Sequence, residues 1–284
     1  MVTVDLLVRP ALPKDQKQIA NLLYFEAHVH RHLDWRAPLD WLGAPFYWVA
    51  ESAGRVLAAL ACPKDPPQVA WLRLFTHAGS VPLEEAWSVL WQTARAELEQ
   101  HGPATVAVIA LHEWMEGVLL DSGFSNRQSI TMLEWRAGTL PHRKAHYPVE
   151  IRPVRREDLP RVARLDATSF DPVWQNSLSA LERAFDQASL ATLAEDERGL
   201  LGYQISTQNP FGAHLARLAV RPDMQRAGIG SALLNDLLTQ ITRRGLVRLT
   251  VNTQSQNLAS LALYEKMGFR PTGENYPVYQ YPIG

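Results

Sequence analysis

The chain has 284 residues, 46% hydrophobic and 20% charged, and its 28 Lys and Arg against 29 Asp and Glu leave a net charge of −1. That composition excludes a disordered chain, and with no dense run of Lys or Arg it also lacks the electrostatic footprint of a nucleic-acid binder. A single cysteine, Cys62, excludes an internal disulfide and a multi-thiolate metal site.

From the start of the chain, MVTVDLLVRPALPKD carries no basic leader before an apolar segment, and no apolar run reaches membrane-spanning length. The expectation is a cytoplasmic protein without membrane partners. The length suits two domains, and a long-period repeat supports them. Val8-Arg9-Pro10 recurs as Ile151-Arg152-Pro153, Arg73-Leu74 as Arg217-Leu218 and Gly123-Phe124 as Gly268-Phe269, at offsets of 143, 144 and 145 residues. In each copy an opening strand leads to a helical region (14–25; 157–170), strands (46–61; 189–208), a central strand and a long helix (83–100; 228–244). A further strand, a further helix and closing strands ending near Trp135 and Tyr281 complete each copy. The chain therefore reads as one mixed α/β fold written twice: a domain over 1–136, a linker over 137–148 rich in turn formers, and a domain over 149–284.

Several local features of the first copy have bland readings. His28, His30 and His32, followed by Asp34, continue a helical pattern, so their spacing suits no metal site and they read as solvated polar surface. Cys62, before a Pro-rich loop, reads as a buried inert thiol. Glu84, Glu85, Glu97 and Glu99 read as an exposed helix face. Eight of the nine Trp precede residue 136, which suits either an aromatic core or an interface.

The informative stretch runs from His214 to Gly230. A short apolar strand ends at Val220, Arg221-Pro222-Asp223 breaks it, and Gly228 and Gly230 open a helix marked by Ile229, Leu233, Leu234, Leu237, Leu238 and Ile241 at the 3.6-residue period. A strand that turns through glycines into a helix leaves backbone N–H groups at the positive end of the helix dipole, where phosphate binds. No Lys-Ser or Lys-Thr follows the last glycine, so this is not a nucleotide P-loop.

The segment Gln225-Arg226-Ala227-Gly228-Ile229-Gly230-Ser231 resembles the acyl-CoA pyrophosphate loop of the GNAT N-acetyltransferase superfamily. A second block carries the same resemblance: Asn257, then Leu263-Tyr264 near a helix end, then Gly268-Phe269. The two blocks cover about half of the second domain. The resemblance implies two tandem GNAT-like domains with acetyl-CoA as co-substrate and no metal. The backbone near Leu218, Ala219 and Val220 would pair with the pantetheine arm, and Gln225, Arg226, Ala227, Gly228, Ile229, Gly230 and Ser231 would hold the pyrophosphate. Tyr264 would protonate the leaving thiolate, and Asn257 would either position the cofactor arm or cap its helix. The family often places a Glu near the start of the central strand; here His214 stands in that neighbourhood, so the base is either His214 or water. Arg217 would either anchor an anionic acceptor or pair with a carboxylate of the other copy.

At matched positions the first copy has no glycine loop after Thr76, Leu119 in place of Tyr264, and His112 in place of Asn257. It is expected to keep the fold as a scaffold and to have lost the ordinary acyl-CoA site. The expected activity is acetyl-CoA-dependent N-acetylation of a primary amine, on a small molecule, peptide or protein, by direct attack on the thioester. Two alternatives stand beside it: a non-catalytic acyl-CoA-sensing or partner-binding module, and, since a doubled chain with one intact copy also resembles mycothiol synthase, acetylation of an aminothiol conjugate. A monomer with pseudo-dimeric pairing of its domains is expected, with no nucleic-acid partner.

Overall fold

The computed structural model describes residues 5–138 and 148–284. The first copy contains β1 (Leu7–Pro10), α1 (Gln16–Phe25), β2 (Val29–Arg31), β3 (Tyr47–Ser52), β4 (Arg55–Ala61), β5 (Val69–Trp71), β6 (Leu74–His77), α2 (Leu83–Glu99), β7 (Ala104–Ile109), α3 (Glu113–Asp121) and β8 (Ser125–Arg136). The second contains β9 (Glu150–Pro153), α4 (Leu159–Ser169), α5 (Leu178–Gln187), β10 (Leu190–Asp196), β11 (Gly199–Asn209), β12 (Gly212–Val220), α6 (Ile229–Arg243), β13 (Arg248–Gln254), α7 (Leu258–Lys266) and β14 (Arg270–Ile283). The fold is mixed α/β, as the alternating patterns predict. Among the described residues no helix is long and apolar enough to cross a membrane.

The two compact units do not coincide with the two sequence copies. One comprises the chain up to Arg127 together with Pro277–Gly284, and the other comprises Gln128–Tyr276. The reason lies in the closing strands. β8 pairs antiparallel with β13 from Ile130 to Arg136, so the end of the first copy completes the second unit's sheet. The last stretch of β14, Val278 to Ile283, pairs with β7 in the first unit. Boundaries expected at 136 and 149 are therefore displaced, and most of the expected linker, residues 139–147, lies outside the described residues.

Duplication is visible in the hydrogen bonds. In the first unit Arg9 on β1 donates to both oxygens of Asp15, at 2.7 and 2.9 Å, and to Glu51 at 2.6 Å, while Asp15 also accepts the Leu12 N–H at 2.8 Å. In the second, Arg152 on β9 donates to Asp158 at 2.7 and 3.0 Å and to Glu195 at 2.6 Å, while Asp158 accepts the Arg155 N–H at 2.9 Å. A bulge recurs beside each glutamate, at Ala50/Glu51 and at Ala194/Glu195. Each triad ties the opening strand, the turn before the first helix and a neighbouring strand into one corner. Its aspartate is nearly sealed from solvent, so the charge-assisted bonds act in a partly desolvated site.

The helix period expected for α6 is realised, with Ile229, Leu233, Leu234, Leu237, Leu238 and Ile241 all buried. Their approach to the sheet depends on Gly202 of β11, where a Cβ would lie 2.8 Å from the Ala219 carbonyl oxygen and 3.2 Å from Leu233 Cδ1. In the first unit α2 buries Trp87 and Trp91, stacked with centroids 5.9 Å apart, so these aromatics are core. Cys62 is buried there too, and burial pushes its thiol pKa up. Glu97 departs from the expected solvated face: it accepts the Trp48 indole N–H at 2.9 Å.

The Arg152 hydrogen bonds hold the Asp158 carboxyl well below the usual carboxylate range. A folded-state pKa below the unfolded one makes the triad's stabilisation fully present above about pH 4, and it is lost as pH falls through the folded value. Asp158→Asn is therefore expected to destabilise the chain by about 2 kcal/mol at pH 7. In denaturant unfolding the gap from the parent should narrow by pH 3, and an equal deficit at both pH values would refute the assignment.

Candidate active site

The site is built on one strand that loses its neighbour. β12 runs antiparallel to β11 along its length, but it pairs in parallel with β13 only at Ala213, His214 and Leu215, opposite Leu249, Thr250 and Val251. At the next residue the register with β11 slips. Leu215 opposes Ser206 and Arg217 opposes Ile205, which makes Ala216 the extra residue of a β-bulge. A bulge bends its strand and inverts the pleat beyond it. Ala213 and Leu215 pack under α6, and after the bulge Leu218 and Val220 take that face while Arg217 turns to the opposite one. Past Leu215 the two strands diverge around a cleft of about 90 Å³, whose walls include Leu218, Asn252, Gln254, Asn257 and Tyr264. Among the described residues no strand pairs with this edge of Ala216–Val220. Such an edge can pair with an extended amide-bearing arm. Leu218, Ala219 and Val220 lie on this edge.

The edge runs into a helix start. After Val220, Arg226 at φ 63° and Gly228 at φ 92° are both left-handed, and the second of these conformations is open chiefly to glycine. The first intrahelical bond runs from Ala232 N–H to the Gly228 carbonyl at 2.9 Å, so the N–H groups of Ile229, Gly230 and Ser231 have no acceptor within the helix. No side chain caps Gly228, and the first turn holds no acidic residue. Gly230 keeps the helix start close to α7 and β12: a Cβ there would lie 3.2 Å from Leu263 Cδ2 and 3.6 Å from Val220 Cγ2. Gln225 folds back, with its side-chain amide 3.4 Å from the Val220 carbonyl. This loop has the donors and the dipole to hold a pyrophosphate.

Tyr264 is buried on α7 with its ring 5.5 Å from that of Phe269, and burial pushes its phenol pKa up. It therefore keeps its proton at neutral pH. Asn257 is the N-cap of α7, accepting the Ser260 N–H at 3.1 Å, and it also lines the cleft. His214 stands apart. It lies before the strands diverge, on the pleat opposite Leu215, with Nδ1 2.9 Å from Thr250 Oγ1, and it is not among the cleft-lining residues. Burial lowers its pKa.

Arg217 pairs within its own unit rather than with the other copy. Its Nε and Nη2 donate to the fully buried Asp166 of α4 at 2.7 and 2.8 Å, and Nη2 also donates to the Trp174 carbonyl at 2.6 Å. Tyr203 donates to the same carboxylate at 2.5 Å, and the guanidinium lies 3.5 Å from the centroid of the Phe170 ring. Phe170, Trp174 and Arg217 all line the cleft. Asp166, Gly202 and the aromatic pair are parts of the site that sequence reasoning missed.

The corresponding place in the first unit is closed. β5 pairs in parallel with β7 at Val69, Ala70 and Trp71, as the first part of β12 pairs with β13. Beyond the break at Leu72–Arg73, the edge of β6 away from β4 is taken by β2, which pairs Val29 with Thr76, His30 with Phe75 and Arg31 with Leu74. The histidine segment is thus a strand rather than a helical continuation or solvated surface. His30 is buried, its pKa lowered to about 4 by burial, and His32 stacks on Trp71 at 4.6 Å. Among the described residues no group of three His, Cys, Asp or Glu side chains could hold a metal ion. α2 begins at Pro82 with Glu84 and Glu85 in its first turn, which disfavours an anion there. Leu119, the counterpart of Tyr264, is core. Arg73, the counterpart of Arg217, is buried against Asp34 at 2.9 Å.

Residues 159–269 match the family model described as acetyltransferase (GNAT) family. A curated relative, the [ribosomal protein bS18]-alanine N-acetyltransferase of Escherichia coli, is 44% identical over 57 residues, 20% of this chain and 38% of the relative's length. Among solved structures, a GCN5-related N-acetyltransferase from Sphaerobacter thermophilus superposes with a TM-score of 0.65 at 15% identity, covering 99% of this chain and 97% of its own. A tandem GNAT protein from the clavulanic acid biosynthesis pathway gives 0.66 at 17% identity over 99% of both chains. At these identities the structural likeness speaks for the fold, while the loop, the diverging strands and the family match speak for the second copy. The match to the GNAT acetyltransferase family covers residues 159–269, within the second copy.

Proposed function

We propose that the chain is an acetyl-CoA-dependent N-acetyltransferase and that its second unit carries the reaction. The observation that carries this reading is the free edge of β12 leading directly into the uncapped start of α6, with Tyr264 in the same cleft. Acetyl-CoA would supply an acetyl group activated as a thioester. The N–H groups of Ile229, Gly230 and Ser231 hold its pyrophosphate, and the backbone of Leu218 to Val220 aligns the pantetheine arm. Tyr264 Oη donates its proton to the sulfur as the carbon–sulfur bond breaks. A desolvated phenol and a desolvated thiolate are of near-comparable basicity, so this transfer is not steeply uphill. His214 lies outside the cleft, so the incoming amine gives its proton to water.

A non-catalytic acyl-CoA-binding module is the second reading. The position of His214 favours it, because such a module needs no base. Turnover separates the two. If Tyr264 is the acid, Tyr264→Phe lowers kcat by about 100-fold at saturating substrates, while acetyl-CoA affinity stays close to the parent's. An unchanged kcat, with chemistry shown to be rate-limiting, would remove Tyr264 from the mechanism.

Because β2 covers the first unit's strand edge, calorimetric titration with acetyl-CoA should give one site per chain. Gly228→Val should weaken that site at least about tenfold, since the left-handed conformation costs an L-residue about 1–2 kcal/mol. Two sites, or parental affinity in the variant, would contradict the assignment.

A further inference from the structure

Arg217 does more than neutralise Asp166. Its Nε and Nη2 are committed to the Asp166 carboxylate and the Trp174 carbonyl, but Nη1 has no partner among the described residues, and the side chain retains 14% exposure on the cleft wall. The buried carboxylate behind it and the Phe170 ring against it hold the guanidinium plane still, so the free edge is a fixed donor rather than a swinging cation. Its place is one residue past the bulge at Ala216, where β12 leaves β13. A thioester lying along the free edge of β12 therefore has its carbonyl within a residue or so of Arg217. An acceptor that carries an oxygen a few bonds from its amine can offer that oxygen to Nη1 while the nitrogen attacks that carbon. Among the described residues that line the cleft, Arg217 is the one cation, and no lining side chain is a carboxylate. A polycationic acceptor would find no counter-charge there, because Asp166 is already spent on Arg217 and Tyr203.

We propose that Arg217 anchors the acceptor through a carbonyl or carboxylate oxygen on the carbon next to the one bearing the amine. The acceptor is then an α-amine, from a free amino acid or a peptide N-terminus, rather than an alkyl amine, a lysine side chain or a polyamine. This rests on the transferase reading above and assigns the substrate class of the same site. An α-amine also suits a site that releases its proton to water. Its pKa near about 8 leaves a substantial neutral fraction at physiological pH, against roughly one part in a thousand for a lysine amine.

The test uses the full chain at saturating acetyl-CoA with alaninamide, alanine, trialanine, isopropylamine and spermidine as acceptors, following thiol release. In the parent, kcat/KM for alaninamide should exceed that for isopropylamine by about tenfold or more per neutral amine, as expected for a charge-assisted hydrogen bond. Arg217→Lys keeps a cation against Asp166 and removes the Nη1 donor, so that ratio should fall to near one. A ratio unchanged in the variant overturns the proposal. So does a parent that acetylates isopropylamine or spermidine as well as alaninamide, a result that needs no variant. Preference for alanine or for trialanine identifies the free amino acid or the peptide end as the source. Absence of turnover with every amine would refute the transferase reading instead. Calorimetry of alaninamide into the CoA-loaded chain then decides the anchor: binding lost in Arg217→Lys supports it, and no binding to the parent overturns it.

Discussion

The second unit depends on the single extra residue in β12. Without the bulge at Ala216, Arg217 would share the face of Ala213 and Leu215 and point into the apolar layer beneath α6. With it, Leu218 and Val220 take over that layer, Arg217 reaches Asp166, and the strand bends away from β13. Packing, the buried ion pair and the cleft all follow from one local insertion. Nothing about them requires a moving part, because the divergence is fixed by side chains locked on both faces of the strand.

The features legible in the sequence were those written locally. The glycine loop, the helix period of α6 and the Asn257, Tyr264 and Gly268 landmarks each lie within one stretch of fifteen residues or fewer, and the start of α6 packs close to α7 at Gly230. The repeat is legible too, and Arg9 and Arg152, which recur in it, centre matching ion triads. What was not legible depends on partners distant in sequence. β2 is three residues long, too short for a period of two to stand out against the helix before it. Gly202 is an isolated glycine in an apolar strand, and its reason is a helix that arrives later in the chain. Asp166 and Arg217 are 51 positions apart. His214 was suggested by its neighbourhood, but pleat parity and the point of divergence decide which side chains reach a cleft.

Comparison of the two copies shows how one fold keeps or closes a site. Both begin the central region with a short parallel pairing, and both break it beside an arginine. In the second unit the segment between the first two helices stands at the cleft with Phe170 and Trp174. In the first unit the equivalent stretch has zipped onto the strand edge as β2, with His30 buried beneath it. Backbone pairing to its own chain leaves that edge with no unmet hydrogen bonds to offer, and the acidic start of α2 completes the change. In the first unit that strand edge is thus closed by its own chain.

The exchanged closing strands bear on how the chain is made. Residues 277–284 complete the first unit, where the Tyr279 hydroxyl donates to Glu116 at 2.6 Å and Ile283 is buried in the core. A ribosome delivers those residues after every other part of that unit and after nearly all of the second. The first unit therefore cannot close its sheet in the order in which its residues emerge, and β7 waits with an open edge while more than a hundred residues are added. Folding of the two units is coupled in time, and the exposed edge of β7 during that interval is the stretch most in need of protection from pairing with a neighbouring chain.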